Sequence, residues 1–179
     1  MSLYDTALAI ATRAHAGQLR KVDQSPYIAH PTAVAAMLRE AGCSEVVVAA
    51  ALVHDVLEDT GFGEEPLREG LGDEVVAIVK GVSEDKLQPW EERKRHYVEM
   101  VRTGPPEAQL VSLADKIHNL RGILEGHKAL GEGVWSKFTR GKQETLWYYG
   151  EMLKVFEDKL PHPLVAEYRQ LVGQLRTLV

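Results

Sequence analysis

A cluster of ionisable side chains directly follows a long apolar run in the first third of the sequence. His54, Asp55, Glu58 and Asp59 come immediately after residues 46–53, a segment that contains only valine, alanine and leucine. A helix that buries this run carries His54 and Asp55 inward with it. Burial of an unpaired carboxylate is costly, so a positive partner is expected, and a divalent metal ion is the natural candidate.

Two further polar residues at inward positions extend this cluster to four potential metal ligands. His30 stands beside Pro31 at a predicted helix start, and Asp115 lies in the core-facing segment 113–120. Imidazole nitrogen and carboxylate oxygen suit Mn²⁺, Fe²⁺, Zn²⁺ or Mg²⁺. The absence of thiolate ligands argues against a structural zinc site, and four protein ligands leave coordination positions for water and substrate. The set formed by His30, His54, Asp55 and Asp115 therefore predicts a catalytic metal centre.

Two carboxylates beside this set could act on a water molecule. Glu58 lies three residues after Asp55 and shares its helix face, and Asp59 follows where Thr60 and Gly61 break the helix. Any one of these acids or imidazoles, taken alone, is more often a hydrogen-bonded core residue or a helix cap. Their grouping favours the metal. We assign packing or surface roles to the remaining histidines, which are His15, His96, His118, His127 and His162.

The sequence pattern predicts that helices position these residues. Apolar residues recur with helical spacing, and no segment alternates with period two for long enough to require a sheet. The glycines between residues 122 and 135 suggest a mobile loop. Residues 18–29 are predicted to form a second loop, in which Arg20 and Lys21 are either an exposed pair or part of a pocket rim. Helices are predicted at residues 5–16, 31–42, 44–57, 64–69, 73–79, 89–101, 106–124, 134–160 and 162–178.

Length and composition narrow the functional class. The chain has 179 residues, one cysteine and a formal net charge of −5. Its length suits one domain over residues 1–179. A lone cysteine, together with the lack of an apolar stretch of transmembrane length or a leader segment, predicts a cytoplasmic protein without membrane association. The negative charge argues against nucleic-acid partners, whereas a local basic patch could hold a small anionic ligand. The oligomeric state is left open.

Four sequence blocks resemble a known family. They are AHAGQLRK at residues 14–21, PYIAHP at 26–31, AALVHDVLEDT at 50–60 and LADKIHNL at 113–120. In this order they resemble the HD-domain metal-dependent phosphohydrolases, and within them the hydrolase domain of the RelA/SpoT class and its stand-alone small alarmone hydrolases. The chain departs from the family at Ser112 and Trp90, where a cationic residue is frequent, and at Gln24-Ser25, where a Gly-Thr pair is frequent.

The resemblance implies an all-α, HD-domain helical bundle and a specific reaction. It implies Mn²⁺ held by His30, His54, Asp55 and Asp115, with Glu58 and Asp59 activating the attacking water. It further implies hydrolysis of guanosine 3′,5′-bis(diphosphate), or ppGpp, to GDP and pyrophosphate. The substrate contacts that it implies come from Arg20, Lys21, Asn119 and a basic residue before Glu144, either Arg140 or Lys142.

Two other functions are compatible with the same residues. The metal centre could release phosphate from another nucleotide, such as a phosphorylated nicotinamide dinucleotide or a nucleoside monophosphate. Alternatively, the pocket could bind an alarmone without turnover, as a nucleotide sensor does. The presence of both Glu58 and Asp59 favours an enzyme, because a sensor has no need of a water-activating pair.

Overall fold

A computed structural model of the protein describes residues 1–178, which form ten α-helices and one short 3₁₀-helix. No β-strand occurs in this part of the chain, where the only extended pairing is an isolated bridge between Leu19 and Pro26. The predicted all-α class is confirmed. The helices are α1 (Leu3–Ala14), α2 (Ala29–Glu40), α3 (Glu45–Val53), α4 (Val56–Asp59), α5 (Glu64–Leu71), α6 (Asp73–Lys80), α7 (Trp90–Thr103), α8 (Pro106–Leu130), the 3₁₀-helix (Gly131–Lys137), α9 (Lys142–Lys159) and α10 (Leu164–Thr177).

Helix α3 lies at the centre of the bundle. Every residue from Val47 to Val53 is buried, and the helix packs against α1, α2, α6 and α8. A helix that is apolar on all sides requires such a central position. The Ser44 side chain accepts a hydrogen bond from the backbone N–H of Val47 and caps the first turn. The core thus fixes the end of α3, where His54 and Asp55 stand.

The sequence predicted one helix over residues 44–57, but the structure divides it. Helix α3 ends at Val53, and the short helix α4 begins at Val56. His54 caps the first helix and Asp55 precedes the second. Neighbouring side chains on a continuous helix point about 100° apart, so a break here helps both residues to face one site.

Helix α8 is longer than predicted. It continues past Leu124 to Leu130 and ends at Gly131, which has a φ of 56°, so the predicted mobile loop over residues 122–135 is wrong. Within this helix, position 126 requires glycine, because a Cβ there would come within 2.6 Å of Val22 Cγ1. The missing side chain allows the loop before α2, which carries Val22, to pack closely against α8.

The predicted helix over residues 134–160 is also divided. The 3₁₀-helix covers its first residues, and α9 starts only at Lys142. Among the residues described, none of the helices is long and apolar enough to cross a membrane.

Candidate metal centre

The four predicted ligands lie together in the core. The ligand atoms of His30 on α2, His54 after α3 and Asp115 on α8 all lie within 4.8 Å of one another. His30 Nε2 is 3.0 Å from Asp115 Oδ1, and His54 Nε2 is 3.7 Å from the same oxygen. Asp55 joins them, with its Oδ2 3.1 Å from His54 Nε2 and 3.5 Å from His30 Nε2.

The orientation of His54 leaves a nitrogen available for a cation. Its Nδ1 lies 2.7 Å from the carbonyl oxygen of Ala51, which can only accept, so Nδ1 carries the hydrogen. Nε2 then faces the carboxylates of Asp55 and Asp115, which raise the pKa of this imidazole despite its burial, and it offers a lone pair once a cation takes the place of its proton. This nitrogen is buried and makes no hydrogen bond with any residue that the structure describes. A bound cation would satisfy it, and the donor set fits a divalent metal ion.

The two aspartates are held in the ionised form. Burial opposes their ionisation, but the adjacent charges outweigh it. The charge on a protonated His54 lowers the pKa of Asp55, and the Lys116 ammonium holds the pKa of Asp115 well below its ordinary value. Both carboxylates are therefore ready to act as ligands at neutral pH.

Asp115 is oriented by neighbours on both of its oxygens. Lys116 Nζ donates to Oδ2 at 2.5 Å, and Asn119 Nδ2 donates to Oδ1 at 2.6 Å. The Lys116 ammonium is in turn held against the rings of Tyr97 and Tyr148, at 4.6 and 5.8 Å from their centroids. Sequence reasoning missed Lys116, although its position beside Asp115 in an apolar segment was a usable signal.

Tyr27 links the ligand set to the acidic pair. Its hydroxyl lies 2.6 Å from Asp55 Oδ2 and 3.1 Å from Asp59 Oδ2, and it donates to the carboxylates. The ring stacks on His15 at a centroid distance of 4.6 Å. We predicted a packing or surface role for His15, and Tyr27 was not among the predicted site residues. The contacts instead give Tyr27 a place within the site.

Glu58 and Asp59 meet the loop that follows α6. Glu58 Oε2 accepts a hydrogen bond from the Glu84 backbone N–H at 2.9 Å. Lys86 forms an ion pair with Asp59 and lies 3.7 Å from Glu58 Oε1. Burial, together with the charges of Glu84 and Asp55, raises the pKa of Glu58 above its ordinary value. A carboxylate with a raised pKa is well suited to accept a proton near neutral pH.

A cavity of about 590 Å³ opens onto this cluster. Its size falls within the range of about 300–1,000 Å³ that is usual for small-molecule sites. Arg20 donates to Asn119 Oδ1 at 3.3 Å on its wall. Besides Lys116, the cationic residues that line the cavity are Arg20, Lys21, Lys86, Arg93 and Lys94.

Arg140 lies outside this large cavity. It lines an adjoining cavity of about 190 Å³, which shares Lys21, Arg93 and Lys94 with the large one. Its guanidinium is exposed and pairs with Glu91 at 2.9 Å. The structure thus brings Arg20, Lys21 and Asn119 beside the cluster, whereas Arg140 stands farther out.

His118 is a second residue that sequence reasoning missed. Its Nδ1 lies 2.8 Å from Nδ1 of His30, the ring nitrogen of His30 that does not meet Asp115. Burial, and then the charges of His30 and Arg20, lower the pKa of His118 to about 4. The signal was its spacing, because a residue three positions after Asp115 lies on the same helix face.

The chain is similar to known proteins over most of its length. Residues 7–139 match the model of the family described as HD domain. The mouse protein named guanosine-3′,5′-bis(diphosphate) 3′-pyrophosphohydrolase MESH1 is 42% identical over 161 residues, which cover 83% of this chain and 90% of that protein. Its human counterpart is 42% identical over 130 residues, 71% of this chain and 70% of that protein.

Two solved structures are similar to this chain. A protein from Listeria monocytogenes EGD-e is 40% identical, with a TM-score of 0.77, and the match covers 85% of this chain and 96% of that one. A metazoan ortholog of SpoT, described as hydrolysing ppGpp, has a TM-score of 0.81 over 100% of this chain and 98% of its own. At 24% identity, the second likeness supports the fold alone.

Proposed function

We propose that this chain, which belongs to the HD-domain family, is a metal-dependent phosphohydrolase that converts ppGpp to GDP and pyrophosphate. The mouse and human relatives carry this activity in their names. The observation that carries the proposal is the junction of a buried histidine–aspartate cluster with a cavity rich in cationic side chains. Such a junction suits a substrate that presents several phosphates.

In this proposal His30, His54, Asp55 and Asp115 hold the divalent cation, for which we propose Mn²⁺. When bound, such a cation supplies Lewis-acid chemistry, since it lowers the pKa of water and neutralises charge on a phosphoryl oxygen. The partnerless Nε2 of His54 and the ionised state of both aspartates support this ligand set.

Glu58 and Asp59 act on the attacking water. Glu58 accepts its proton, because burial raises the pKa of this carboxyl toward neutrality. Asp59 orients the same water. The Tyr27 hydroxyl contacts the carboxylates of both Asp55 and Asp59 and so holds the two side chains close together. The break between α3 and α4 supports this division, because it places ligands and water-activating acids on successive turns.

The cationic wall binds the nucleotide. Arg20, held by Asn119, and Lys21 contact the nucleoside and its near phosphates. Arg93 and Lys94 line both cavities and face the remaining phosphates through charge-assisted hydrogen bonds. Arg140 reaches the outermost phosphate from the smaller cavity when it exchanges its exposed partner Glu91 for substrate.

Product analysis tests this proposal directly. The protein is stripped of metal with a chelator, supplied with Mn²⁺ and incubated with ppGpp, and the products are separated by anion-exchange chromatography. We expect equimolar GDP and pyrophosphate, with no turnover before Mn²⁺ is added. His54→Ala serves as the inactive control, and Lys80→Met, which changes a lysine paired with Glu64 outside the cavity, as the active control.

Two other results would contradict the assignment. Release of orthophosphate from NADPH or a nucleoside monophosphate, without turnover of ppGpp, would keep the metal centre and reject the substrate. Tight binding of ppGpp without any product would make the chain a sensor.

A further inference from the structure

The imidazole of His118 contacts the ring of His30, one of the proposed metal ligands. Nδ1 of His118 lies 2.8 Å from Nδ1 of His30, and the ring centroids are 4.8 Å apart. His30 is only 1% exposed, and its other nitrogen, Nε2, lies 3.0 Å from Asp115 Oδ1. Both ring nitrogens of His30 are thus committed to contacts with α8, the helix that carries His118 and Asp115.

Two neutral imidazoles at this distance share one hydrogen, since one nitrogen donates and the other supplies a lone pair. Two arrangements satisfy the contact. In the first, His30 Nδ1–H donates to His118, and His30 Nε2 presents a lone pair to a cation. In the second, His118 Nδ1–H donates to His30, whose Nε2–H donates to Asp115 Oδ1.

The partner of His54 allows only one arrangement. The Ala51 carbonyl accepts and cannot donate, so it keeps His54 in the Nδ1–H form whether or not a cation is present. An imidazole, by contrast, can donate or accept at the same nitrogen. This difference distinguishes the two histidine ligands of the proposed centre.

We propose that His118 is a positioning residue that sets the tautomer of His30, donating to it in the cation-free protein and accepting from it when the cation binds. On binding, His30 changes from Nε2–H to Nδ1–H and His118 from Nδ1–H to Nε2–H, each by exchange with water. The two histidines together neither gain nor lose a proton. This inference rests on the proposed metal centre.

Long-range ¹H–¹⁵N NMR spectra of histidine-labelled protein report these tautomers, with Zn²⁺ as a diamagnetic probe. We expect His30 and His118 to exchange tautomers when Zn²⁺ is added, and His54 to stay in the Nδ1–H form. A His118 ring with its hydrogen on Nδ1 in the Zn²⁺-loaded protein would overturn the inference.

Zn²⁺ affinity of variants gives an independent readout. His118→Phe removes the acceptor, and we expect binding to weaken about 10- to 100-fold, the usual range for a lost partner of a ligand histidine. His118→Asn, whose amide can donate or accept, should restore most of it. His96→Phe changes an exposed histidine on α7 and should bind as the unaltered protein does.

The outcomes separate this inference from the proposed function. Failure of the unaltered protein to bind Zn²⁺ at His30 and His54 would contradict the metal centre itself. Normal binding by the unaltered protein and equal binding by His118→Phe would contradict only the role of His118. If His118→Phe does not fold, the spectra of the unaltered protein decide the question.

Discussion

The residues around the cavity fall into ligands and water-activating acids, and substitutions should separate the two groups. His54→Ala removes a nitrogen from the cluster, so we expect loss of both Mn²⁺ binding and turnover. Glu58→Gln leaves the ligand set intact, so Mn²⁺ binding should persist while kcat falls about 10²- to 10⁴-fold. Calorimetric titration with Mn²⁺ and steady-state kinetics measure the two effects. Full activity in Asp55→Ala would show that the ligand set is wrong.

Glu58 should also govern the acid side of the pH profile. Burial raises its pKa, Lys86 opposes the rise, and the proposed base works only when deprotonated. As pH falls through this raised pKa, kcat at saturating Mn²⁺ should fall with it, above the range of an ordinary glutamate. Lys86→Met removes the opposing charge, so the acid limb should move to higher pH. Lys80→Met, which lies outside the cavity, should leave the limb in place, and an unmoved limb in Lys86→Met would count against Glu58 as the base.

Individual residues show how far the sequence could predict the site. His30, His54, Asp55 and Asp115 were predicted as ligands because each is a polar residue at an apolar, inward position. The same pattern could not identify the partners of these ligands. Whether His118 meets His30 depends on the packing of α2 against α8, a contact between residues 88 positions apart.

Among the elements, helix α3 was the easiest to predict, because its apolar run fits only a central helix. Its end was harder, since the pattern continues through Leu57 while the structure breaks the helix after Val53. Helix α8 shows the opposite error. Its glycines suggested a loop, but Gly126 serves a close approach of Val22, and a requirement that arises between two elements is not visible in either one alone.

This close approach gives a prediction for the loop that carries Arg20 and Lys21. A Cβ at Gly126 would lie 2.6 Å from Val22 and 3.0 Å from Val134. Gly126→Ala should therefore displace the loop and raise KM for ppGpp more than it lowers kcat, because the loop binds substrate. Gly173→Ala on α10 is the matched control, because nothing lies within 4 Å of its Cβ position. It should leave KM unchanged and stabilise the protein by up to about 1 kcal/mol. Equal KM values in both variants would show that this loop does not contribute to the binding of ppGpp.

Across the whole molecule, charge is distributed unevenly. The chain carries a formal net charge of −5, yet the large cavity collects Arg20, Lys21, Lys86, Arg93 and Lys94. The lining also includes Asp55, Glu58, Asp59, Glu84 and Asp115, so cationic and anionic side chains meet in one cavity, which suits a phosphate-bearing ligand together with a bound cation. The negative total argues against broad anionic partners, and this stays a prediction. It could not show the local cluster of cationic residues, because these come from three separate segments of the chain.

The metal centre also joins elements from across the fold, so a bound cation should stabilise the molecule as a whole. Its ligands come from α2, the end of α3 and α8, and unfolding separates them. A cation that binds only the folded protein adds about 2.7 kcal/mol at a concentration of 100 times Kd, which corresponds to roughly 5–11 °C in Tm for a chain of this size. We expect this rise when Mn²⁺ is added to chelator-treated protein, measured by differential scanning calorimetry. Glu58→Gln should show the same rise, whereas Asp55→Ala should show little or none. A full rise in Asp55→Ala would mean that Mn²⁺ stabilises the protein from another place.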